Sequence, residues 1–271
     1  MDKISIILPS RNEVLLNKTI DNIQRNSIED IEFIVVLDGI YNTPYQNPIG
    51  YKYGDNGVIQ QDNVHVVQFR TPLGKRRAIN YASQIATGKY LFHIDAHCSM
   101  SHGWDKRLKE CMDKRDVLFC PIISISPDTL ESINGSRLGS FSYIDPEYNV
   151  KWWVDYQADC DNNGVIENMA MPGCAWLIER DYYWDIGGHN ESIGEWGLQG
   201  SEIALNVWLN PQYPGRILTV MDVRCGHVYR DRHPYTAKWK IEETRSYLKG
   251  RYKNDIYKLI NKFSPVPEWT S

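Results

Sequence analysis

The first third of the chain alternates short apolar runs with longer amphipathic stretches. Ile4–Leu8 has a strand pattern, and Ile31–Leu37 is a second apolar run that ends at Asp38-Gly39. Between them, Leu15, Ile20 and Ile23 mark a helical stripe within Asn12–Arg25. Val64–Phe69, Lys75–Ala86 and Tyr90–Ile94 then read as strand, helix and strand. Repeated strand–helix–strand units predict a parallel sheet covered on both faces. Right-handed crossovers bring the strand C-termini to one edge, where open α/β sheets bind ligands. Asp38 and Asp95 both fall on that edge.

The pattern weakens further on. Residues 41–62 read as a loop insertion, Trp104–Lys114 as a helix and Val117–Cys120 as a strand. Residues 121–150, rich in Ser, Pro and Gly, read as a long loop. Trp152–Gln157 and Ala175–Ile178 have strand character, Asp181–Ile186 and Ser201–Leu209 that of short helices. Arg216–Val228 carries one or two strands, and Ala237–Tyr252 a C-terminal helix with Trp239, Thr244, Tyr247 and Leu248 as inner positions.

With 271 residues, 42% of them apolar, the chain can bury a sizeable core. The net charge of −4, from 30 basic and 34 acidic residues, argues against a protein built mainly to grip nucleic acid. There is no charged start followed by an apolar stretch, and no run approaches the about 18 apolar residues of a membrane span. The cytoplasm is the expected setting. Six scattered cysteines without a Cys-x-x-Cys pair read as mostly reduced, buried thiols.

The chemistry starts at Asp95-Ala96-His97, which directly follows an apolar strand. A carboxylate and an imidazole so placed suit Mn²⁺, or Mg²⁺ in its place, and leave coordination positions for diphosphate oxygens. An N-capping Asp beside an ordinary loop His is the alternative. His227, also at the end of an apolar run, is the best third ligand. The segment after it gathers Arg230, Arg232, His233 and Tyr235, which can clamp a diphosphate. Arg70–Arg77 is a basic turn opening a helix, where Lys75 and its neighbours oppose the helix dipole and so favour an anionic partner. Asp38 can accept hydrogen bonds from a base or ribose, or serve as a turn residue before Gly39. Glu195–Glu202, with Trp196 and Gln199, suits the floor of a sugar site, or a capped helix approach.

These segments, in this order, resemble the GT-A nucleotide-sugar glycosyltransferases, and within them the catalytic domain of the polypeptide N-acetylgalactosaminyltransferases. The resemblance runs from about Ile4 to Tyr235. It is carried by Leu8-Pro9-Ser10-Arg11-Asn12-Glu13, Asp95-Ala96-His97-Cys98, Arg180-Asp181-Tyr182 with Gly187-Gly188, Trp196-Gly197 with Glu202-Ile203 and Val207-Trp208, and Gly226–Arg230 with His233-Pro234-Tyr235. It implies an α/β GT-A fold: a Rossmann-like, mainly parallel sheet flanked by helices, with a smaller mixed acceptor-side sheet. The chain is then a single domain, with 1–97 the nucleotide-binding half, 98–235 the acceptor and metal half, and 236–271 a C-terminal helix and tail. The resemblance further implies a Mn²⁺ site of Asp95, His97 and His227. UDP-sugar contacts would come from Pro9, Arg11, Glu13, Asp38, Arg70, Lys75, Ala96, Gly173, Arg230, His233 and Tyr235, the last three in a lid. Trp196 would lie by the reacting sugar.

Two departures bear on mechanism. The family's Trp-Gly-Gly-Glu-Asn is here Trp196-Gly197-Leu198-Gln199-Gly200, so Gln199 replaces a donor-contacting Glu. Gly200 falls where inverting relatives carry the Asp that deprotonates the acceptor, which points to retention. Asp95, Gln199, Glu202 and Trp196 are the catalytic candidates, with Glu202 or Glu195 as a reserve base. The expected protein transfers a sugar from a UDP-sugar to a hydroxyl of a polypeptide Ser/Thr, a glycan or a modified nucleobase. An inverting glycan-making transferase, an inactive nucleotide-sugar-binding module and a metallohydrolase are the alternatives. A nucleic-acid acceptor would need a basic stripe seeded by Lys75, Arg76, Arg77 and Arg232.

Overall fold

The computed structural model describes residues 2–11, 13–39, 58–161, 163–230 and 240–269. Among them, nine strands form one sheet in the order β11-β13-β7-β12-β5-β1-β2-β4-β3. Its first half comprises β1 (Ile4–Ser10), β2 (Ile31–Asp38), β3 (Val58–Gln61), β4 (Val64–Phe69) and β5 (Tyr90–His93). Strands β5, β1, β2 and β4 are parallel neighbours. β2 is buried at every position, as expected of a parallel strand covered on both faces. The crossovers are helices α1 (Leu16–Asn26) and α2 (Lys75–Ile85). α1 buries Leu16, Thr19, Ile20 and Ile23, the three-and-four spacing of one helix face.

β1 lies between β2 and β5, so the chain first builds outward through β2 and β4 and then returns to the other side of β1. That reversal opens a crevice beyond the carboxyl ends of β1, β2 and β5. The far half is mixed. β7 (Asp116–Phe119) and β13 (Arg216–Val220) are parallel. β11 (Val165–Glu167) pairs antiparallel with β13, and β12 (Trp176–Glu179) antiparallel with both β5 and β7. A smaller mixed sheet of β6 (Cys98–Met100), β14 (Cys225–His227) and β8 (Ile122–Ser124) sits at the crevice. One apolar core runs under both halves and includes Ile6, Val35, Phe92, Leu118, Leu177 and Leu205.

Several expectations change in detail. Residues 121–150 are not one long loop: they contain β8, β9 (Ser142–Ile144) and the start of β10 (Val150–Trp152). These strands are three residues long, too short to show a period. The strand expected over Trp152–Gln157 ends at Trp152, where pairing with β9 stops. The insertion expected at 41–62 includes the pairing strand β3, while residues 40–57 lie outside the described residues. The helices α3 (Trp104–Cys111), α4 (Arg180–Asp185) and α5 (Gln199–Trp208) fall where expected within a turn. α6 (Ile241–Tyr252) buries Thr244 and Leu248 as read; Trp239 lies outside the described residues. A further helix, α7 (Ile256–Lys262), follows it. All six cysteines are free; four are buried, Cys111 is half-buried and Cys160 exposed.

Candidate active site

The crevice is a cavity of about 510 Å³ walled by the ends of β1, β2 and β5 and by the approach to α5. Pro9, Arg11, Asp38, Asp95 and Ala96 come from the strand ends, and Gly173, Trp196 and Gln199 from the opposite wall. All eight were singled out from the sequence.

Ligand atoms of Asp95, His97 and His227 lie within 4.8 Å of one another. His97 and His227 turn their Nε2 atoms towards each other at 3.2 Å, and His227 Nε2 is 3.5 Å from Asp95 Oδ2. The small sheet creates this meeting, because β14 pairs antiparallel with β6 and sets His227 opposite Cys98, next to His97. Behind His97, its Nδ1 lies 3.0 Å from Glu13 Oε2. A proton donated there leaves the Nε2 lone pair facing His227 and Asp95, the arrangement of a metal-ligating histidine backed by a carboxylate. The donor set and its backing therefore fit a divalent ion such as Mn²⁺ or Mg²⁺.

Glu13 is buried and accepts two hydrogen bonds of 2.7 Å from Arg230 and one of 2.9 Å from the Leu15 amide. Burial pushes its pKa up, but the bonds from His97 and Arg230 outweigh this and hold it at about 2. Arg230 is thus joined to the metal-site support. Asp95 is likewise held well below the carboxylate range: burial raises it, and the Lys75 charge and the bond to His227 more than reverse this. Lys75 Nζ sits 2.5 Å from Asp95 Oδ1 and 3.5 Å from the Gly173 carbonyl.

The basic turn divides its work. Lys75 enters the cavity, whereas Arg76 is buried and donates to the Gly194 and Gly197 carbonyls at 3.2 and 2.6 Å. Arg76 thereby ties α2 to the loop that carries Trp196. Arg70 is exposed and absent from the cavity wall, and Arg77 pairs outside with Glu191. The basic stripe expected for a nucleic-acid acceptor does not form from Lys75 and Arg76, which both turn inward. Asp38 is clamped: its carboxylate accepts from the Leu73 and Gly74 amides at 2.6 and 3.0 Å and from Arg11. Arg11 also donates to Glu195 at 3.3 Å. Gly74 has φ +97, and a Cβ there would stand 2.6 Å from Glu195 Cβ, so only glycine allows this approach.

The sequence profile of glycosyl transferase family 2 matches residues 5–187, more than half of the chain. The chain belongs to this family. It is 26% identical over 170 residues to a probable N-acetylgalactosaminyltransferase 8 of Caenorhabditis elegans, covering 61% of this chain and 39% of that protein. To human polypeptide N-acetylgalactosaminyltransferase 13 it is 28% identical over 182 residues, covering 64% and 32% respectively. The chain thus spans between about a third and two fifths of the length of these relatives. A crystal structure of GalNAc-T7 with UDP, GalNAc and Mn²⁺ superposes with a TM-score of 0.73 at 18% identity, over 99% of this chain and 53% of that one. The likeness shows the GT-A fold.

Where α5 begins, Leu198 takes a left-handed conformation, φ 54. Gln199 follows in the cavity wall; its Oε1 accepts from the Gly197 amide at 2.8 Å, and its buried Nε2 has no partner among the described residues. A Cβ on Gly200 would stand 2.1 Å from the Met171 carbonyl, so this backbone has no room for a side chain. Glu202 does not reach the cavity. It is buried against Arg76 at 3.1 Å and His189 at 3.0 Å and accepts from the Asn190 amide at 2.6 Å. In this conformation both its oxygens are engaged in holding the scaffold.

Trp196 and Glu195 remain in the wall, and His233, Tyr235 and Arg232 lie outside the described residues. Trp153 and Tyr156 pack on each other and on the core, while Trp152 is 37% exposed. Asn149, Val150 and Tyr229 also line the cavity and were not singled out as site residues. Tyr229 was findable, being two residues beyond His227 in the same motif; Asn149 and Val150 sit in a segment read as loop.

Proposed function

We propose that this chain is a metal-dependent glycosyltransferase that moves a sugar from a UDP-sugar to an acceptor hydroxyl with retention of configuration. The convergence of Asp95, His97 and His227 at the sheet edge, with Glu13 behind His97, carries the reading. A Mn²⁺ ion bound there would offset the charge that develops on the UDP leaving group. Lys75 and Arg230 supply further positive charge for the diphosphate. Arg11 and Asp38 shape the nucleoside end of the crevice through the 73–74 amides. Gln199 and Trp196 line the wall where the sugar would lie.

Retention is favoured by position 200. An inverting enzyme needs a carboxylate near the acceptor hydroxyl. Gly200 carries none, its surroundings leave no space for one, and Glu202 is committed elsewhere. The leaving phosphate can instead accept the acceptor proton on the same face. Glu195, in the wall and bound to Arg11, is the observation that keeps an inverting reading in play. The N-acetylgalactosaminyltransferase relatives favour a polypeptide Ser/Thr acceptor, with a glycan or modified nucleobase as alternatives. No helix among the described residues is long and apolar enough to cross a membrane; we place the protein in the cytoplasm as part of the proposal.

Incubation with a panel of UDP-sugars and Mn²⁺, with and without Ser/Thr peptides, tests the reading. One donor should release UDP, and release should fail in Asp95→Ala. NMR of the product should show the donor's anomeric configuration; an inverted linkage would transfer the role of base to Glu195.

A further inference from the structure

A second donor cluster of different chemistry shares His227 with the candidate metal site. Ligand atoms of Cys98, Cys174 and His227 also lie within 4.8 Å of one another. The arrangement is imposed by the backbone: His227 faces Cys98 across the β14–β6 pair, a position whose Cβ atoms lie about 4.5–5.5 Å apart. Cys174 follows Gly173 in the cavity wall, so a small ion in the cavity can reach it. The Cys98 thiol shares hydrogen bonds with those of Cys174 and Cys225. The Nδ1 atom of His227 is buried and has no partner among the described residues.

We propose that Cys98, Cys174 and His227 form a binding site for a thiophilic divalent cation such as Zn²⁺ or Cd²⁺, which competes through His227 with the ion held by Asp95 and His97. Two sulfurs and one imidazole nitrogen are three ligands of a tetrahedral site, and water from the cavity or Cys225 provides the fourth. Tetrahedral Zn–S bonds of about 2.3 Å place donors roughly 3.8 Å apart, so sub-ångström side-chain shifts close the site. On binding, the two thiols lose their protons to solvent and become thiolates; nothing is oxidised. A hard ion such as Mn²⁺ gains little from sulfur ligands, whereas a soft one displaces the thiol protons. Because a neutral imidazole offers one lone pair, His227 serves one cation at a time. A soft ion therefore strips the upper site of a ligand. The competition rests on the metal reading above; the thiolate site does not.

The test uses the full chain, freed of metal and without nucleotide. Cd²⁺ added to the wild type should produce cadmium–thiolate charge-transfer absorption saturating at one equivalent, and should protect Cys98 and Cys174 from alkylation, counted by mass spectrometry. Cys98→Ser and Cys174→Ser should each weaken binding by at least about tenfold, while Cys160→Ser, at the exposed cysteine, should leave it unchanged. Added Mn²⁺ should raise the Cd²⁺ half-saturation concentration in the wild type. Absence of the absorption in the wild type, or alkylation of both thiols despite Cd²⁺, overturns the site whether or not the variants fold. Absorption indifferent to Mn²⁺ overturns the competition. None of these outcomes depends on sugar transfer, so failure here leaves the proposed function standing.

Discussion

His97 and His227 are 130 residues apart in sequence, yet their Nε2 atoms lie 3.2 Å from each other. Two neutral imidazoles can satisfy only one hydrogen bond along that line, while a cation beside it can take both lone pairs. A proton on His97 Nδ1, donated to Glu13 3.0 Å away, would leave the Nε2 lone pair on that line.

Glu13→Gln is therefore expected to weaken Mn²⁺ activation by about 10–100-fold, the usual cost of losing an outer-shell partner. The maximal rate at saturating Mn²⁺ should fall less. The measurement is the Mn²⁺ dependence of UDP release in wild type and variant; an unchanged half-activation concentration would remove Glu13 from the site.

Removing Glu202 tests scaffold against base. It is fully engaged with Arg76, His189 and the Asn190 amide. Glu202→Ala leaves Arg76 buried without its carboxylate, which should cost about 3–5 kcal/mol of folding stability. Urea unfolding would register this as a lowered midpoint. A folded, fully stable but inactive variant would instead return Glu202 to catalysis.

Gly200→Asp places a carboxylate where an inverting enzyme keeps its base. With Met171 O only 2.1 Å from the new Cβ, the backbone must move, and a loss of about 1–3 kcal/mol or more is expected. The variant should lose activity without gaining inverted product, as read by NMR of the linkage.

Acid should destabilise the fold through Glu13 and Glu202. The Glu13 carboxyl is held at about 2 against an ordinary 4.5. A depressed carboxyl stabilises the native state fully above its unfolded pKa, and this contribution fades as pH falls through the folded value. For Glu13 the window runs from 4.5 down to about 2, with about 3 kcal/mol at stake. For Glu202, burial pushes the pKa up, but the bond from His189 and the charges of His189 and Arg76 bring it below the usual value, so its effect has the same sign. Urea midpoints should fall between neutral pH and about pH 3, and fall less in Glu13→Gln.

The sheet and its ligand edge were legible because β2 is apolar but for Glu32 up to its end at Asp38, and the run Tyr90–Ile94, apolar but for His93, leads into Asp95. Asp95 and His97 were legible because they come just after an apolar run, and His227 because it closes one. The roles of neighbours were harder to read. Lys75, Arg76 and Arg77 are consecutive and look alike in sequence, yet α2 points one into the cavity, one into the core and one to solvent; helical rotation separates them. Glu202 and Gln199 lie three apart on α5, but a neighbour the sequence does not identify, Arg76, claims the first. β8, β9 and β10 were missed because three-residue strands carry no period.

If Asp95, His97 and His227 hold a divalent ion that in turn holds UDP, UDP binding must depend on that ion. Calorimetric titration of UDP into the wild type and Asp95→Asn, each with and without Mn²⁺, tests it most directly. Mn²⁺ should tighten wild-type UDP binding by at least about tenfold, or 1.4 kcal/mol, and have no such effect in Asp95→Asn. Wild-type UDP binding that is indifferent to Mn²⁺ and unchanged by the substitution would contradict the account.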